Sequence, residues 1–96
     1  MISYLEGKIL EKNEKFFVIS AGGVGYRVFS HQGILEKIPA IGQNIGVWTH
    51  LYVREDALDL YGFTDKDELE FFETLISISG IGPKSALGIL EVAPVM

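Results

Sequence analysis

The stretch Ser79 to Leu90, SGIGPKSALGIL, sets glycines at 80 and 82 around the bulky Ile81 and follows them with Pro83 and Lys84. It contains no acid, general base or metal ligand, so its chemistry lies in the backbone. Upstream, Leu69, Phe72 and Ile76, with Phe71, Leu75 and Ile78 beside them, recur at helical spacing, which predicts an amphipathic helix over Asp65–Ser79. Thr64 and Asp67 fit a variant capping box at its start, and its acids cluster in the first turns, where the helix dipole favours them. Downstream, Ala86, Leu87, Ile89 and Leu90 predict a shorter helix over Ser85–Glu91 that packs back on the first. Together they read as a helix-hairpin-helix unit.

Such a bend has a specific capability. Glycine reaches backbone conformations that side chains resist and permits close approach. The amides that open the second helix have no intrahelical partners, and with the helix dipole they form an anion site suited to phosphate. Ile81 would anchor the bend between the helices, Pro83 would start the second helix with a pre-set φ, and Lys84 would add a point charge. The competing phosphate motifs fail: Ser85 stands where a third Rossmann glycine belongs, a helix rather than a strand precedes the bend, and there is no Walker loop. The plain alternative is that Gly-Ile-Gly-Pro only ends one helix and begins the next. A single hairpin with one lysine is a weak binder, because useful affinity for nucleic acid needs several phosphates engaged at once. Either a second hairpin or several subunits is required.

Before Phe63 the period changes. Short β-rich runs at Ser3–Leu10, Lys15–Ser20, Tyr26–Phe29, Ile45–Val53 and Ala57–Phe63 alternate with turn signals, among them EKNEK and AGGVG. A short helical turn over Gln32–Ile38 is closed by Pro39. Five strands with a helix between the third and fourth predict an OB-type barrel. The fold class is therefore β-rich α+β, with a five-stranded OB-fold barrel at 1–63 and a helix-hairpin-helix unit at 64–96.

Composition narrows the function classes. The 96 residues are 48% hydrophobic and 22% charged, enough for one compact core. There is no cysteine, which excludes disulfides, thiolate zinc sites and a thiol nucleophile. No run approaches the roughly 18 apolar residues of a membrane span, and the stretch MISYLEGKIL lacks the basic flank and apolar run of a secretion signal. A soluble, cytoplasmic protein is the expectation. The net charge is −5, with six basic and seven acidic side chains in residues 1–63 but two and six in 64–96. Bulk charge argues against nucleic acid. Local geometry would have to overcome it.

Arg54, Glu55 and Asp56 fall between two apolar strand runs, at the tip of a predicted hairpin. The bland reading is a solvated turn. In a DNA-binding protein, carboxylates at a projecting tip would instead repel phosphates and steer a strand. A unit-charge pair at about 4 Å interacts by about 1 kcal/mol in water and about 4 kcal/mol at a partly desolvated surface. A metal-dependent nuclease using Glu55, Asp56 and Asp59 is the chemical alternative, weakened because adjacent strand residues point to opposite faces. A third reading is a single-strand binder that stacks bases on Trp48, Tyr26 and Phe29. These aromatics lack interleaved basic residues and read more simply as core or subunit contact. His31 and His50 show no ligand spacing or triad partners and read as surface or half-buried residues. The glycines of GGVGY precede a strand and read as a tight turn.

In order, GGVGY, THLYVREDALDLYGF, the acidic amphipathic helix and SGIGPKSALGIL closely resemble the amino-terminal half of the RuvA family, the Holliday-junction-binding subunits of the RuvAB branch-migration complex. The resemblance spans essentially the whole chain. It implies a DNA-binding scaffold in recombination, DNA repair and the SOS response of a bacterium, a homotetramer or octamer with the barrels at its centre and the hairpins gripping the arms of an open, square-planar four-way junction. It assigns Glu55 and Asp56 to an acidic pin at the crossover, Arg54 to a backbone contact beside it, and Gly80, Ile81, Gly82, Pro83, Lys84 and Ser85 to the first phosphate-binding hairpin. It implies no catalytic residue, metal or cofactor: ATP hydrolysis would belong to the RuvB motor and strand cleavage to the RuvC resolvase. Members of the family continue into a second hairpin and a third domain that binds RuvB. The expectation is therefore a truncated chain that binds junctions weakly and cannot recruit the motor.

Overall fold

The computed structural model describes residues 1–92. Its elements are β1 (Tyr4–Lys12), β2 (Phe16–Ala21), β3 (Val24–Phe29), α1 (Gln32–Leu35), β4 (Asn44–Arg54), β5 (Ala57–Phe63), α2 (Lys66–Ile76) and α3 (Pro83–Val92). The last residues of EVAPVM, 93–96, lie outside that range, and with them the end of the expected second unit.

The five strands close into a barrel in the order β1-β2-β3-β5-β4, the arrangement of an OB fold. All neighbouring pairs are antiparallel except β3 and β5, which run parallel through Val28–Leu60 and Phe29–Tyr61 and complete the closure. Alternation along the strands decides what faces inward. On β2, Phe17 and Ile19 are fully buried while Phe16 and Val18 are half-buried. They meet Ile9, Val28, Val47 and Phe63 in the barrel interior.

Turn chemistry fixes the register. Asn13 Oδ1 accepts from the amides of Lys15 and Phe16 and folds the β1–β2 connection. Between β2 and β3 the last pair is Ala21–Val24, leaving Gly22 and Gly23 as a two-residue loop with φ of +59° and +83°, as a primed hairpin turn demands. β1 runs two residues further than expected because a bulge between Ile9 and Glu11 bends it along the barrel.

The helical unit begins immediately after β5. Asp65, not Thr64, is the N-cap of α2, and its carboxylate accepts from the Asp67 amide at 2.9 Å. Leu69, Phe72 and Leu75 are the buried residues of α2. The Phe72 ring lies 5.3 Å from Tyr61 and 5.1 Å from Phe63, so one buried aromatic joins the helix to β5. On α3, Ala86 and Leu90 are buried and join the same core.

His50 is half-buried as expected, whereas His31 is not at the surface. His31 is buried and its Nε2 contacts Glu68 Oε1 on α2, while His50 Nδ1 lies 2.9 Å from Glu73 Oε2. Their partners sit 37 and 23 residues away in the chain, a separation that local spacing rules do not see.

Candidate nucleic-acid interface

The bend between α2 and α3 is built from its hydrogen bonds. The helix ends at Ile76, three residues before the expected boundary. The Ser77 and Ile78 amides turn back to the carbonyls of Thr74 and Leu75, and Ser77 Oγ donates to Thr74 O at 2.6 Å. Gly80 then adopts φ +89°, in the region only glycine enters cheaply, and the Ile81 amide returns to Ile78 O at 3.1 Å. Ile81 is half-buried against the core and anchors the bend.

Gly82 has a different role. Its φ is not positive, so the turn does not require glycine there. Its carbonyl accepts from the Ala86 amide at 3.0 Å, which makes it the residue that opens α3. Having no side chain, it cannot cap. The Lys84 and Ser85 amides in the first turn are thus left without an intrahelical partner, and the Gly82 amide makes no backbone hydrogen bond. A Cβ added at Gly82 would meet nothing within 4 Å, and Lys84 and Ser85 are exposed, so there is room for a ligand beside the start of α3.

The two helix starts contrast sharply. The N-terminus of α2 has a carboxylate cap and Asp67 and Glu68 in its first turn; that of α3 has no acid in its first turn and carries Lys84. A lysine at the positive end of a helix dipole is unfavourable for stability. The same placement suits an anion.

The acidic tip is equally well defined. Pairing of β4 with β5 continues to Arg54–Ala57, leaving Glu55 and Asp56 as an exposed two-residue connection. Arg54 Nη2 donates to Asp59 Oδ2 at 3.3 Å, so the guanidinium turns back along the hairpin. Asp59 is thereby engaged, and among the described residues no group of three or more His, Cys, Asp or Glu is placed to share a metal. The nuclease reading loses its ligand set.

These parts meet. Gly82, Pro83, Lys84 and Ser85 line an open cleft of about 910 Å³ together with Arg54, the residue that precedes the acidic tip. Gly80 and Ile81 lie outside the lining, consistent with their shaping the bend. Lys15, from the β1–β2 turn, adds a third cation; nothing in EKNEK distinguishes it from a solvated turn residue. Part of the lining is aromatic: Phe29, Tyr52 and Tyr61, with Phe29 5.9 Å and Tyr52 6.4 Å from Tyr61. Burial, then the Asp59 carboxylate, push the Tyr61 phenol above its ordinary range, against the opposing pull of Arg54.

The three aromatics of the single-strand alternative, which read more simply as core or subunit contact, do not form one stacking face. Tyr26 and Phe29, three apart on β3, point to opposite faces. Trp48, on β4, packs against Tyr4 at 4.8 Å and lies under Lys66 Nζ at 5.4 Å.

Residues 1–62 match the family model described as the RuvA N terminal domain. Among curated proteins, the chain is 47% identical over 91 residues to a Holliday junction branch migration complex subunit RuvA of Acetivibrio thermocellus, covering 95% of this chain and 45% of that protein. It is 50% identical over 91 residues to the protein of the same description from Chloroherpeton thalassium, covering 95% and 46%. The chain spans about half the length of the curated relatives it matches.

Proposed function

The chain belongs to the RuvA family, and from that premise we propose that it supplies the barrel, acidic pin and first hairpin of a scaffold that holds a four-way DNA junction open for branch migration. The observation that carries the reading is the start of α3: an uncapped helix end with a lysine in its first turn, lining the same cleft as Arg54. In this reading the Gly82, Lys84 and Ser85 amides, with Lys84 Nζ, take a backbone phosphate, and Gly80, Ile81 and Pro83 shape the bend that presents them. Arg54 and Lys15 take further phosphates along the cleft. Glu55 and Asp56 push strands apart at the crossover.

Phosphate contact by backbone amides reads no sequence, so junction preference arises from shape and symmetry. One hairpin engages too few phosphates for tight binding. Four copies, barrels inward, would multiply the contact and bring four acidic tips to the crossover. The net charge of −5 is compatible with this, because salt screens exposed charges beyond about 8 Å while phosphates sit directly on the amides. The setting is the bacterial cytoplasm; the motor is RuvB and the resolvase RuvC, each acting on the junction that the scaffold holds.

Anisotropy titration of labelled four-way junction and linear duplex at two salt concentrations, with magnesium present and products run on a denaturing gel, tests this. The expected result is salt-sensitive preference for the junction with intact strands. Equal affinity for linear duplex, or cleavage of the junction, would overturn it.

A further inference from the structure

We infer that His31 is a positioning residue: through Glu68 it fixes the bearing of the helical unit on the barrel, and so the offset between the α3 amides and the acidic tip. The inference deepens the junction-binding reading, and its functional half rests on that reading.

The hydrogen bonds define the proton's place. His31 Nδ1 accepts from the Gly33 amide at 3.1 Å and caps α1. The ring proton therefore sits on Nε2 and is donated to Glu68 Oε1 on α2. The ring packs 6.2 Å from Phe63, and a Cβ on Gly33 would come within 2.9 Å of the imidazole Cε1, so glycine makes room for it. One residue on, the Gln32 amide donates to Glu91 Oε1 on α3 at 2.9 Å. Two successive residues at the start of α1 thus hold both helices, one by a side chain and one by the backbone.

Other contacts between the units do less to set direction. Phe72 joins α2 to the barrel at Tyr61 and Phe63 by apolar burial, which is non-directional and tolerates rotation. His50–Glu73 is more exposed, with side chains 27% and 43% accessible against 7% and 13% for His31–Glu68. Solvent screens the former pair. The latter is directional, buried and costly to leave half-made, as expected of a bond that sets an angle. Phosphate recognition by fixed amides depends on placement to within about 0.5 Å.

The chain has no cysteine, so nitroxides can be attached at Glu11→Cys on β1 and Glu70→Cys on α2, both exposed. Labelled chain diluted in unlabelled chain gives the intrachain distance distribution by electron paramagnetic resonance. His31→Asn retains a cap acceptor for Gly33 but is too short to reach Glu68. Glu68→Ala removes the acceptor, and Glu68→Gln restores an uncharged one. His31→Asn and Glu68→Ala are expected to broaden the distribution and to lower the ratio of junction to linear-duplex affinity by about threefold to tenfold. Glu68→Gln is expected to keep both near the parent values, a rescue that loss of general stability would not produce.

An unchanged distribution in His31→Asn and Glu68→Ala overturns the inference. So does broadening with an unchanged affinity ratio. The distance arm needs no DNA: if the parent showed no junction preference, the functional reading would fall, and the distributions would still decide whether His31 positions the helices.

Discussion

Arg54 Nη2, from the last pair before the tip of the β4–β5 hairpin, donates at 3.3 Å to Oδ2 of Asp59, two pairs further back, so the cation nearest the acidic tip is held by a carboxylate of the same cleft. Both side chains are part-exposed, and such a pair contributes about 0–1 kcal/mol. Asp59→Asn is therefore expected to leave the melting temperature nearly unchanged. It frees Arg54 for phosphate, so DNA affinity should rise and the dependence on log salt should steepen by about 0.9. Titration over a salt series checks this; unchanged affinity would mean that Arg54 does not touch DNA.

Stability and binding should separate at Gly82. Aspartate there has room for its Cβ and would cap α3 by accepting from its free amides. Caps of this kind improve on glycine by only a few tenths of a kcal/mol, about 0.3. Gly82→Asp is thus expected to fold at least as well as the parent, by chemical denaturation, while losing DNA binding because the carboxylate occupies and repels the phosphate position. Retained binding would show that the α3 amides are not the contact.

Gly80 tests the bend itself. Its φ is +89° and a Cβ added there would meet nothing within 4 Å, so the cost of Gly80→Ala is backbone strain alone, about 1–2 kcal/mol. Urea unfolding should show a loss of that size. A neutral result would mean that the bend relaxes.

Much of this was legible in the residues. Period-2 alternation and the Gly22–Gly23 turn mark the barrel strands, and the helical recurrence of Leu69 and Phe72 marks α2. Boundaries slipped where local hydrogen bonds compete: Ser77 Oγ and the left-handed Gly80 close α2 early, and α3 starts at Pro83, as its fixed φ suits, two residues before the start read from the apolar pattern. The hairpin and the acidic tip stand out as motifs, because each is local. Lys15, the Arg54–Asp59 pair and the His31–Glu68 bond do not, because each depends on which strand end or helix the closed barrel brings alongside.

Tyr61 gives a pH signature. Its phenol ionises above its ordinary 10.0, chiefly through burial and secondarily through Asp59. Below pH 10 the residue is neutral in both states and costs nothing. Above it, the unfolded chain loses the proton while the folded chain keeps it, so the folded state binds more protons and stability falls as pH rises through that window. Denaturant melts at about pH 9 and about pH 11 should show this decline, reduced in Tyr61→Phe. An equal decline in both proteins would place the cause elsewhere.

The most direct measurement follows the backbone amides of this chain by nuclear magnetic resonance during titration with four-way junction DNA. Large downfield shifts at Gly82, Lys84 and Ser85, abolished in Gly82→Asp, are the expected result. Saturating DNA that leaves those three amides unmoved would contradict the account at its centre.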